Sequence, residues 1–63
     1  METLELKSEE AKAVIKAFSF LLDEELTNVT SIEVRRFPNY AKGGSYDLYV
    51  DGHLHAFGDI KLA

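Results

Sequence analysis

Cysteine is absent from this 63-residue chain. Its absence removes disulfides and every thiolate zinc site, and it leaves the redox compartment open. Tryptophan is missing too, and histidine occurs only as His53 and His55, a thin supply for a structural metal. No apolar run approaches the roughly 20 residues needed to span a bilayer, so no membrane-crossing segment is expected. The opening residues 1–6 offer neither a basic n-region nor an apolar h-region. A signal peptide is therefore not expected, and the cytoplasm is the expected compartment.

Motifs of chemistry are as scarce as cysteine. Ser45, His53 and Asp59 have no nucleophile-elbow or oxyanion context. Gly43-Gly44-Ser45 lacks the spacing and the lysine of a phosphate-binding loop. A single domain over residues 1–63 leaves little room for a pocket of several hundred cubic ångströms. We expect no enzyme and no cofactor. His53 and His55, two apart on a strand with Asp47 across from His55, form a metal set in principle. Such pairs are frequent by chance, and two exposed histidines are the favoured reading.

Clustered basic charge is also wanting. The net charge is −4, and the excess lies in the first half. There Glu2, Glu5, Glu9, Glu10, Asp23, Glu24 and Glu25 face only Lys7, Lys12 and Lys16. Phosphate-backbone binding needs grouped Lys and Arg, so this balance counts against nucleic acid. It suits a partner with a basic surface.

What is present begins with an amphipathic stretch over residues 8–26. Ser8 is suited to cap a helix, and Glu9 and Glu10 set negative charge at its positive end. Ala11, Val14, Ile15, Phe18, Leu22 and Leu26 recur at three and four, which makes one apolar stripe. Thr27 and Asn28 offer a stop. The opposite face is unusual: Ala13, Ala17, Phe20 and Leu21 gather where charge is expected. A chain this short buries only about 60 % of its unfolded surface, so association has an independent motive. With disulfides excluded and a metal poorly supplied, those four residues are the expected self-association surface of a homodimer.

The remaining segments alternate as strands do. Residues 3–7 place Leu4 and Leu6 on one side, and residues 31–35 place Ile32 and Val34 inward. Phe37 then falls on the wrong parity, and a bulge at Arg35-Arg36 would turn it inward before Pro38 ends the strand. Gly43-Gly44 supplies a reversal in the loop 39–45. Asp51-Gly52 is a strong hairpin signal with two registers. We prefer a three-residue loop of Val50, Asp51 and Gly52. It pairs Tyr49 with His53 and sets Leu48 opposite Leu54 and Tyr46 opposite Ala56, with Ile60 and Leu62 on the same parity.

The pattern is β-α-β-β-β. It predicts an α+β fold with one amphipathic helix packed on one face of a small, mainly antiparallel sheet. If the first strand joins that sheet, the helix is expected to be a right-handed crossover. The preferred register sends Tyr49, Asp47, His53, His55 and Phe57 to the outer face, with Glu33 and Arg35 beside them. Aromatic and arginine side chains on an uncovered face are typical of binding surfaces. Cross-strand aromatics also stabilise sheets that bind nothing. We take Arg35, Tyr49, His53, His55 and Phe57 as the expected contacts to a larger protein, in an inhibitor or adaptor role. Single-stranded nucleic acid stacking on the same aromatics is the alternative. An Asp47–His55 pair would make such a surface sensitive to mild acid.

Overall fold

In the computed structural model the apolar stripe forms one helix, α1 (Glu9–Leu22), shorter than the spacing predicts. The structure describes residues 2–26, 31–37 and 44–62. The expected stop at Thr27-Asn28, the strand residues Val29 and Thr30, Pro38 and the loop through Gly43 lie outside the described residues. Ser8 caps as expected, its Oγ accepting from the Ala11 N–H at 3.1 Å. The same hydroxyl donates to the Glu5 carbonyl at 2.7 Å. That turn limits the preceding strand, β1, to Glu2–Leu4 and leaves Leu6 exposed.

Asp23 ends the helix in the left-handed conformation, φ 53°. Its N–H donates to the Phe20 carbonyl and the Glu24 N–H to the Ser19 carbonyl, the paired bonds of a Schellman cap. Asp is among the residues that tolerate this conformation. Asp23, Glu24 and Glu25 also stand against the negative end of the helix dipole, so one more turn would be electrostatically unfavourable. Leu26 is nevertheless buried, carried inward by the non-helical chain beyond the cap.

Three further strands complete a four-stranded sheet: β2 (Ile32–Phe37), β3 (Ser45–Val50) and β4 (His53–Asp59). The order is β1-β2-β3-β4 and each pairing is antiparallel. The expected α+β architecture holds, with α1 covering one face. Because β1 lies antiparallel beside β2, α1 does not cross between parallel strands, and the handedness rule expected to govern it does not apply.

Two register expectations are corrected. First, β2 carries no bulge: Ile32 to Phe37 pair continuously with Val50 to Ser45. Arg36 therefore points to the helix side and Phe37 to the outer face. An inward arginine is stable because two carboxylates meet it. Its guanidinium donates to Glu10 at 2.7 Å and to Glu2, which faces it from β1. The Tyr46 hydroxyl donates to the other Glu10 oxygen at 2.6 Å. The first turn of α1 is thus tied to β2 and β3 by charge-assisted bonds, and Arg36 ties β1 to the same cluster.

Second, the hairpin has a two-residue loop. Val50 pairs with His53, and both Asp51 (φ 51°) and Gly52 (φ 83°) have the positive φ of a type I′ turn. Tyr49 therefore pairs with Leu54, not His53. A bulge in β4 then absorbs His55, so that Leu48 pairs with Ala56 and Tyr46 with Gly58. One extra residue restores the parity, which is why Tyr46, Leu48 and Ala56 face the helix as expected while Leu54 does not.

The core between α1 and the sheet holds Leu4, Ala11, Val14, Phe18, Leu26, Val34, Tyr46, Leu48 and Ile60. Leu48, Val14 and Val34 are its largest fully enclosed side chains. Ile15, Ala17, Ala56 and Leu62 pack at its border. After β4 the chain returns over the core, and the Ile60 N–H donates to the Gly44 carbonyl at 3.2 Å. Among the described residues no helix is long and apolar enough to cross a membrane.

Candidate interaction surfaces

Strand parity alone decides which side chains the helix leaves uncovered. With the register fixed, the outer face reads as three rows across β2, β3 and β4. They are Phe37–Ser45–Asp59, Arg35–Asp47–Phe57 and Glu33–Tyr49–Leu54, with Thr3 beside Arg35 on β1. Phe57 is 72 % exposed and Leu54 50 %. An open face carrying two phenylalanines, a tyrosine and a leucine is more apolar than solvation alone requires.

Charge is neutralised between its second and third rows. The Arg35 Nε donates to Glu33, and its guanidinium lies 4.0 Å from the centre of the Tyr49 ring. Thr3 adds a hydroxyl bond to the same Glu33 carboxylate at 3.2 Å. Arg35 therefore holds the Glu33 carboxyl below its ordinary range, and Glu33 raises the guanidinium in return. Arg35 and Tyr49, both expected on this face, are brought together there.

The first two rows contain a depression whose cause is side-chain size. Ser45 and Asp47 are short and occupy the middle strand, while Phe37 and Phe57 stand on the strands to either side. The result is an open groove of about 430 Å³ lined by Phe37, Ser45, Tyr46, Asp47, Phe57, Gly58 and Asp59. Ser45 donates its hydroxyl to one Asp59 oxygen. Among the described residues no hydrogen bond or ion pair engages the Asp47 carboxylate, which is half-buried.

The histidines depart from expectation. His53 pairs with Val50 and so falls to the helix side at the hairpin tip, where it is exposed. His55, displaced by the bulge, meets Glu24 beyond the helix cap, its Nε2 at 3.0 Å from a carboxylate oxygen. Asp47 faces Phe57 instead of His55, so the expected Asp47–His55 pair and the shared metal face do not form. No group of three potential metal ligands converges among the described residues. Of the acids after the helix, Glu24 therefore meets a side chain of this chain, His55.

Phe37 and Leu54 are the outer-face residues that sequence reasoning missed. Uninterrupted alternation from Ile32 places Phe37 beside Glu33 and Arg35, but it also sends Arg36 inward, an apparent fault that the carboxylates of Glu2 and Glu10 resolve. On the back of α1, Phe20 is 85 % and Leu21 66 % exposed. Ala13 is half-buried and Ala17 packs on the core border, so the patch presented there is chiefly Phe20 and Leu21.

No protein-family model, curated protein or solved structure matches this chain.

Proposed function

We propose that this chain is a small, non-catalytic protein-interaction module of inhibitor or adaptor type, acting in the cytoplasm through the outer face of its sheet. One observation carries the reading: α1 covers one sheet face, and the other presents Leu54 and Phe57 exposed beside half-buried Phe37 and Tyr49. Three strands about 4.8 Å apart, with about 3.3 Å per residue, make a face of roughly 300 Å². That is less than half of the roughly 800 Å² each partner contributes to a standard interface. The face therefore suits an exposed segment of a larger protein better than a second broad surface. Phe20 and Leu21, on the far side of the molecule, are free to serve self-association at the same time.

The test is affinity capture with the wild-type chain, Phe57→Glu and Phe20→Glu, followed by reconstitution with the purified partner and NMR mapping of the contact. The reading requires a protein held by wild type and Phe20→Glu, released by Phe57→Glu, and mapped onto β2, β3 and β4. Filter binding with single-stranded DNA supplies the opposing outcome. Affinity that falls steeply with salt and disappears in Tyr49→Ala would replace the protein partner with nucleic acid.

A further inference from the structure

We infer that the groove between Phe37 and Phe57 receives an arginine side chain of the partner protein. The inference rests on the interaction reading above and names the chemistry of its central contact. Three features of the groove converge on a planar cation.

The first is charge. On the outer face Glu33 and Arg35 neutralise one another, which leaves the carboxylates of Asp47 on the groove floor and Asp59 at its end. Arg35 stands directly across from Asp47 in the ladder, yet its Nε is committed to Glu33 and its guanidinium to the Tyr49 ring. It supplies Asp47 with electrostatic proximity but no hydrogen bond. A half-buried carboxylate with a cation nearby but no donor among the described residues retains capacity to accept hydrogen bonds.

The second is the wall chemistry. Phe37 and Phe57 stand diagonally across Ser45 and Asp47, so a cation lowered onto Asp47 passes between two rings. Ring faces attract cations, and attract them more strongly as water is removed. The third is shape. The groove is open, and Gly58 adds no side chain to it. A flat guanidinium can lie against a ring while its fork meets a carboxylate bidentately, whereas an ammonium keeps a tight hydration shell and makes a point contact. Phosphate groups are repelled by the same two carboxylates.

The experiment is an NMR titration of the full chain with a capped serine pentapeptide carrying one central arginine, beside the matching lysine and glutamate peptides. Wild type is compared with Asp47→Asn, Phe57→Ala and Glu24→Gln, the last removing an equal charge outside the groove lining. The arginine peptide is expected to move the amides of Ser45 to Asp47 and of Phe57 to Asp59, with lysine weaker and glutamate silent. Asp47→Asn should weaken the arginine peptide about fivefold, the worth of a well-formed exposed ion pair. Glu24→Gln should leave it unchanged. Equal weakening by Asp47→Asn and Glu24→Gln would mean attraction to net charge alone and would overturn the inference, as would shifts confined to other surfaces. If the captured partner still depends on Phe57 while the arginine peptide is silent, the interaction module stands and the arginine does not.

Discussion

Tyr46 joins the interior of this protein to its charged rim. Its ring lies in the core with Leu48 and Val34, and its hydroxyl reaches Glu10, which also receives Arg36. Burial first, and then the hydrogen bond to the Glu10 carboxylate, push the phenol up from 10.0 to about 12. Between those two values the unfolded chain releases this proton and the folded one keeps it. This contribution to stability is therefore complete below pH 10 and is lost as pH rises towards 12. Tyr46→Phe removes both the bond and the titration. At pH 7 it should cost about 1.5–3 kcal/mol, the usual worth of a hydrogen bond to a charged group. At pH 11 the gap between the two proteins should narrow, because only wild type has lost stability through the phenol. Urea unfolding of both proteins at the two pH values checks the prediction, and a gap that widens with pH would contradict it.

Two tight reversals among the described residues use positive φ, but they treat it differently. Gly52 sits at φ 83° with open space where a Cβ would go, so Gly52→Ala meets no clash and pays only in backbone strain, about 1 kcal/mol. Asp23 accepts the left-handed conformation at φ 53° with a side chain attached and an anion at the wrong end of the dipole. Asp23→Gly should relieve both and stabilise the fold by ~0.5 kcal/mol, after allowance for the freer unfolded chain. Thermal melts of the two variants should move in opposite directions. These turns also mark where sequence reading succeeds and where it stops. Ser8, Asp51-Gly52 and the apolar stripe of α1 announce themselves through local chemistry, so the element types and the helix-on-sheet arrangement were legible. The bulge at His55 and the inward Arg36 depend on partners distant in sequence, Glu24 in one case and Glu2 with Glu10 in the other. Periodicity could not reveal them. Alternation consequently places Arg35, Tyr49 and Phe57 correctly on the outer face, but sets the two histidines there in place of Leu54 and Phe37.

The whole molecule keeps a large share of its surface. Its accessible area is 4593 Å², against about 4,100 Å² expected from size scaling for a monomer of 7.1 kDa. Among the described residues the largest fully enclosed side chains are Leu48, Val14 and Val34, and no disulfide reinforces them. A chain of this kind gains stability by closing exposed apolar surface against another copy, and then its melting temperature rises with concentration. The two faces available for that purpose are distinguishable, because Phe20 and Leu21 lie behind α1 while Phe57 lies beyond the sheet. The chain is expected to dimerise through α1, which leaves the groove open for a partner. In sedimentation equilibrium, wild type and Phe57→Glu should then share one dimerisation constant and Phe20→Glu should remain monomeric. Phe20 is 85 % exposed in the single chain, so the glutamate disturbs no core contact, and a folded monomer is the expected product. Loss of the dimer in Phe57→Glu with its retention in Phe20→Glu would exchange the roles of the two faces. Monomers throughout, with a melting temperature indifferent to concentration, would remove self-association and leave the sheet face as the chain's one contact surface.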